Sequence, residues 1–177
     1  MNELVKLLTY DADGTLVSLG CGAGWWEVQL MHQKPAKQLI LIDSNPRVLN
    51  AEDLQETQDY FEKSHQKPLS TSIGFRIESA EKLSAHDQEA DVILLFNSFH
   101  EFDHRQLVAK EMYRICKPGG QIFIEEELAS TENQRHEDCG KPLFIERELI
   151  SLLEHAGFHF VSKTKKDEKA SYLRFEK

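Results

Sequence analysis

Four short runs, at residues 16–19, 39–42, 92–96 and 122–124, are apolar almost without interruption. A strand with one face in water alternates apolar and polar side chains. A run that is apolar throughout fits a strand buried on both faces, as in a parallel sheet. Segments of helical periodicity lie between these runs. Val108, Met112 and Ile115 share one helix face, and that helix must stop before Pro118. Leu149, Leu152, Leu153 and Ala156 line a second helix, with Gly157 as its C-terminal cap. Pro46 is placed to open a third, at a position where its missing N–H costs nothing. Strand and helix therefore alternate, which requires crossover connections and an open α/β sheet. After Gly157 the pattern changes: residues 158–162 and 172–175 read as strands with no helix between them, which predicts an antiparallel hairpin at the sheet edge. The least regular stretch is a polar loop at residues 128–142.

The 177 residues suit a single domain spanning 1–177. A formal net charge of −9 repels phosphate backbones, so nucleic acid is not expected as a partner. Lys163, Lys165, Lys166 and Lys169 are interleaved with Asp167 and Glu168 and read as a solvated turn. Three cysteines, Cys21, Cys116 and Cys139, form no paired spacing, which points to a reducing, cytoplasmic compartment. The N-terminus lacks the apolar core of a secretion signal, and no apolar run is long enough to cross a bilayer, so no membrane partner is expected.

The first candidate site is Gly20-Cys21-Gly22-Ala23-Gly24, directly after the first apolar run. Glycines there let the backbone turn sharply and let a ligand approach the main chain. The second is Asp43, at the end of the next run and about twenty residues beyond the glycines, where a carboxylate can accept two ribose hydroxyls. Asp43 could equally cap the helix expected from Pro46. A dinucleotide loop needs its third glycine where Trp25 stands; here that glycine comes one residue early and a double tryptophan follows. S-adenosylmethionine has no pyrophosphate and does not require that geometry.

With these residues in view, the chain resembles the class I S-adenosylmethionine-dependent methyltransferases. VSLGCGAG is similar to their first motif, LILIDSNP to the ribose-binding strand end and RIESAEKL to the adenine-contacting segment. ADVILLFNSFHEF is similar to the fourth strand, EMYRICKPGGQIFIEEE to the helix, turn and fifth strand, and ELISLLEHAGFHFV to the last helix and sixth strand. The closest look is to the small-molecule, ubiquinone-biosynthesis-like group. The resemblance implies a Rossmann-like, seven-stranded, mostly parallel open sheet with a C-terminal antiparallel hairpin. It implies S-adenosylmethionine as cofactor, with Gly20, Gly22 and Gly24 flanking its methionine part. Asp43 would hold the ribose with Ser44 beside it, Ser79, Ala80 and Glu81 would lie along the adenine, and Asn97 would close over the cofactor at the end of the fourth strand. Two positions depart from the family: Ser18 and Ser79 stand where acidic residues are frequent, and a neutral acceptor is weaker than a charged one.

The implied reaction is methyl transfer to a small-molecule substrate. Asn97-Ser98-Phe99-His100 lacks the prolines and aromatic of the amine-methylating pattern, which favours oxygen or carbon over nitrogen as the accepting atom. His100 is the first candidate for a base and Glu101 the second, since an imidazole titrates near neutrality. His100 packing only at a helix start is the structural alternative. A second function class is a non-catalytic binding module on the same fold.

Two further motifs point elsewhere. Asp11-Ala12-Asp13-Gly14-Thr15-Leu16 matches the phosphatase nucleophile motif, but a turn before the first strand explains the same letters. His100-Glu101-Phe102-Asp103-His104 matches a zinc-protease pattern that requires both histidines on one helix. His100 and His104 have no third ligand in context, so no metal is expected. The loop at 128–142 is expected to serve as a lid that orders with substrate, and Cys139 reads as a free surface thiol.

Overall fold

The four apolar runs become four interior strands of one sheet. The computed structural model describes residues 2–177. A short helix, α1 (Asn2–Leu7), leads into β1 (Thr15–Leu19), α2 (Trp25–Gln33), β2 (Gln38–Asp43), α3 (Ala51–His65) and β3 (Ser72–Ile77). Then follow β4 (Ala90–Phe96), a 3-10 turn (Phe99–Glu101), α4 (Arg105–Ile115), β5 (Cys116–Glu127), α5 (Glu146–Ala156), β6 (His159–Lys165) and β7 (Ala170–Glu176). The spatial order is β3-β2-β1-β4-β5-β7-β6. The first five strands in that order pair in parallel, and β7 runs antiparallel to both β5 and β6. The expected open sheet with its antiparallel C-terminal hairpin is what the chain forms.

Because successive side chains of a strand point to opposite faces, each apolar run feeds two cores. Val17, Leu19, Ile40, Ile42, Ile93, Leu95, Ile122 and Ile124 pack under Val108 and Met112 of α4 and Leu149 and Leu153 of α5. Leu16, Leu39, Leu41, Val92, Leu94 and Phe123 pack under Leu4 of α1, Val28 and Met31 of α2, and Leu54 and Phe61 of α3. The strand order reverses between the parallel neighbours β1 and β4, so the connections leaving their carboxyl ends run in opposite directions and open a crevice there.

Three local readings are corrected by the structure. Pro46 opens a turn and not a helix; α3 starts at Ala51, where the Asn50 side chain accepts from the backbone N–H of Glu52 and Asp53. Asp11–Gly14 is a turn closed by Gly14 N–H to Asp11 C=O (2.9 Å) at the amino end of β1, and helix precedes it where the phosphatase motif needs a strand. His100 and His104 do not share a helix. The chain turns extended at Phe102 (ψ 134°), and α4 begins only at Arg105. No helix among the described residues is long and apolar enough to cross a membrane.

Candidate active site

The loop after β1 is shaped by two glycines whose reasons differ from ligand access alone. Gly20 has φ 67°, and a Cβ there would stand 2.7 Å from Ser98 Cβ at the end of β4. Gly24 has φ 72°, and a Cβ there would meet Leu41 Cδ1 at 2.6 Å. A side chain at either position would push β1 from its neighbours as well as strain the backbone. Ser98 Oγ donates to Leu19 C=O (2.8 Å) across the same gap.

Asp43 ends β2 beside this loop. Its carboxylate accepts from Gly22 N–H (3.0 Å) and from Asn45 N–H (2.9 Å), so it holds the glycine loop and caps the following turn at once. Around it opens a cleft of about 260 Å³, lined by Gly20, Asp43, Ser44, Ser79, Ala80 and Glu81 among the expected residues. Glu101 also lines it. Glu78, Ser98, Phe102 and Asp103 complete the wall and were not foreseen. Five carboxylates line the cleft, with no lysine or arginine among the described residues that do so. Gly22 and Gly24 stand behind the wall, and Asn97 is exposed beyond it in a left-handed conformation (φ 51°).

The two departures at Ser18 and Ser79 each have a glutamate at hand. Ser18 Oγ donates to Glu27 Oε1 (2.6 Å), with both residues buried. Glu27 sits in the first turn of α2, and burial, opposed by the Ser18 hydrogen bond, pushes its carboxyl up to about 7. Its second oxygen, Oε2, has no hydrogen-bond partner among the described residues. Ser79 Oγ accepts from Glu81 N–H (3.2 Å), while the neighbouring Glu78 carries a second buried oxygen, Oε1, with no partner. Buried polar atoms are rarely left so; Glu78 lines the cleft, and Glu27 is buried outside its wall.

His100 does not face the cleft as a free base. Its ring is fully buried, Nδ1 lies 2.8 Å from Glu126 Oε2 and Nε2 lies 3.4 Å from Cys139 Sγ. Burial disfavours its charged form, but the hydrogen bond and charge of Glu126 outweigh this and raise its pKa. Glu126 Oε1 also accepts from the backbone N–H of Phe99 (2.6 Å) and His100 (3.2 Å), which fixes the turn after β4. A sequence signal for Glu126 existed: it is in phase with Ile122 and Ile124, both fully buried, so its carboxylate had to have a partner. Cys139 is not simply a free surface thiol, since the loop carrying it folds back onto His100 and brings His136 with it, ring stacked at 4.7 Å. Arg105 clamps this arrangement by donating to His100 C=O (2.5 Å) and Pro142 C=O (2.7 Å).

Comparison with known proteins follows this geometry. The sequence model of a family described as "methyltransferase domain" matches residues 17–124, more than half of the chain. The fold is similar to that of SpnF, a [4+2]-cyclase, with a TM-score of 0.78 and 16% identity, covering 99% of this chain and 78% of that one. It is similar to a SAM-dependent methyltransferase from Aquifex aeolicus, with a TM-score of 0.75 and 17% identity, covering 99% and 88%. A SAM-dependent methyltransferase from Methanosarcina mazei gives a TM-score of 0.72 and 20% identity, covering 95% and 94%.

Proposed function

Because this chain belongs to the methyltransferase-domain family and is an S-adenosylmethionine-dependent enzyme, we propose that it methylates a small-molecule acceptor, at oxygen or carbon, beside the cleft at the carboxyl ends of β1, β2 and β4. The observation that carries the reading is the charge of that cleft: Asp43, Glu78, Glu81, Glu101 and Asp103 line it. A sulfonium with an ammonium group is drawn to such a wall, while a pyrophosphate is repelled.

The chain's residues divide the work by position. Asp43, which lines the cleft with Ser44 next to it, would accept the ribose hydroxyls. The unpartnered Glu27 Oε2 supplies the charged acceptor that Ser18 lacks, for an amino group. Glu78 Oε1 does the same in place of Ser79, for an adenine amine. When bound, the cofactor would supply a methyl group on a positively charged sulfur, whose S–CH3 bond breaks as the acceptor's bond to the methyl forms and which leaves as a neutral thioether. Most of the acceleration then comes from holding the two in line.

Where the acceptor must lose a proton, Glu101 is the residue that takes it. Its side chain is 55% exposed and lines the cleft, and its Oε1 lies 4.0 Å from His100 Nε2. His100 acts behind it as a positioning residue, since both its ring nitrogens are engaged. The loop at 128–142 is docked on the turn after β4 through Cys139 and Pro142. Methyl-labelled cofactor offered to the enzyme with a cell extract, split into small-molecule and macromolecular fractions, tests the reading. Label should enter the small-molecule fraction and fall at least tenfold with Glu101→Gln. Label confined to protein or RNA, or cofactor binding without turnover, would overturn it.

A further inference from the structure

We propose that His100, His136 and Cys139 form a three-ligand site for zinc, beside the cofactor cleft. Their donor atoms all lie within 4.8 Å of one another, although the residues are 36 and 39 positions apart from His100 in sequence. Zinc bonds of about 2.0–2.1 Å to nitrogen and about 2.3 Å to sulfur, at tetrahedral angles, set the two donors about 3.5 Å apart. His100 Nε2 and Cys139 Sγ lie 3.4 Å apart.

The surroundings prepare these groups for a metal. The fully buried Glu126 carboxylate takes up Nδ1 of His100 at 2.8 Å, which fixes the ring and leaves the lone pair of Nε2 pointing at Cys139. A carboxylate behind a histidine in this way orients a ligand and raises its basicity. His136 and Cys139 are presented together by a tight turn, in which Gly140 N–H reaches His136 C=O (3.0 Å) and Cys139 N–H approaches His136 Nδ1 (3.4 Å). His-x-x-Cys on one turn and a distant histidine supply two imidazoles and a thiolate, a donor set that suits zinc and not magnesium or calcium. A cysteine–histidine–carboxylate triad acting as a nucleophile would explain Cys139, His100 and Glu126 but has no use for His136, whose ring is stacked on His100 with 28° between planes. With three protein ligands one position stays open; two carboxylates are near the set, Glu101 Oε1 at 4.0 Å from His100 Nε2 and Glu127 Oε2 at 4.0 Å from His136 Nε2.

The sequence pattern pairs His100 with His104 and gives no expectation of a metal; the three residues brought together are a different set. His104 is exposed, its backbone N–H bonded to Glu81, and it is not among the three. The ion would also explain how a loop of mostly exposed polar residues holds to the core. Two of its other ties, Lys141 to Asp103 and Lys169 to Glu137, are exposed ion pairs that contribute little, and Arg105 adds a hydrogen bond to Pro142 C=O.

Cobalt(II) titration of chelator-treated, desalted full-length protein tests the site, with zinc then added in competition. One equivalent of cobalt should bind with a thiolate-to-metal charge-transfer band, which one equivalent of zinc removes. Cys139→Ser should abolish the band, His136→Ala should weaken zinc binding at least a hundredfold, and Glu126→Gln should weaken it roughly 10–100-fold. His104→Ala should change nothing. Thermal melts of each variant establish that it is folded, and Cys139 and His136 lie on an outer loop where folding should survive. Failure of the wild type to bind either ion stoichiometrically would overturn the proposal. So would zinc affinity unchanged in both Cys139→Ser and His136→Ala, or alkylation of Cys139 at the same rate with and without zinc.

Discussion

The hydroxyl of Ser18 and the carboxylate of Glu27 meet at 2.6 Å in the buried wall behind the glycine loop, nine residues apart and on different elements. The strand supplies the donor and the helix supplies the charge. Burial raises the Glu27 carboxyl to about 7 from an ordinary 4.5, so the folded state holds a proton that the unfolded chain releases. The stability linked to this proton is complete below about pH 4.5 and is lost as pH rises through about 7. Over that window the cofactor-free protein should lose on the order of 3 kcal/mol from this group. Glu27→Gln should flatten the slope and melt higher than wild type at pH 8. Denaturant unfolding at pH 5, 6.5 and 8 checks this, and an unchanged slope in the variant counts against it.

The same carboxyl should respond to ligand. A cofactor ammonium near Glu27 Oε2 favours the ionised form. Binding at pH 6.5 should therefore release a proton, seen as a calorimetric enthalpy that varies with the ionisation enthalpy of the buffer. Glu27→Gln should bind roughly tenfold more weakly, with no buffer dependence.

The glycine loop makes a steric prediction. Gly20→Ala sets a Cβ 2.7 Å from Ser98 Cβ at a φ of 67°, and the backbone alone costs about 1–2 kcal/mol there. Gly24→Ala meets the end of a flexible leucine at 2.6 Å with a similar φ. Both should destabilise, Gly20→Ala by more, because Leu41 can turn aside and Ser98 Cβ cannot. Urea unfolding ranks the two.

The proton-transfer role assigned to Glu101 separates chemistry from binding. Glu101→Gln should lower kcat at least tenfold and leave cofactor affinity within about threefold, since its hydrogen-bonding shape is kept. Steady-state kinetics beside a binding titration distinguishes this from a general loss of the cleft.

Much of the fold was legible because β1, β2, β4 and β5 are buried on both faces and say so in continuous apolar runs. β3 was not, because it is an edge strand paired only to β2, and its residues Ser72–Ile77 are at most half-buried. The start of α3 was misread because proline at 46 suits a turn as well as a helix, and Asn50 makes the real cap. The residues of the cleft were legible where strand ends fix them: Gly20 follows β1 and Asp43 ends β2 wherever the loops go. Pairs that depend on a chain path were hidden. Glu27 meets Ser18 only because the glycine loop brings the first turn of α2 back beside β1, and His100 meets Cys139 only because the loop at 128–142 folds back over the turn after β4. A pentapeptide with two histidines four apart suggested a helix that the extended Phe102 breaks.

Asp43 joins the glycine loop to the acidic cleft, and binding to it tests the account most directly. Calorimetric titration with S-adenosylmethionine, S-adenosylhomocysteine and NAD, on wild type and on Asp43→Ala, is the measurement. Both sulfur ligands should bind at one site, NAD should not, and Asp43→Ala should weaken the sulfur ligands roughly 10–100-fold, as loss of charge-assisted hydrogen bonds does. Binding of NAD in preference to the sulfur ligands, or full S-adenosylmethionine affinity in Asp43→Ala, would contradict the account.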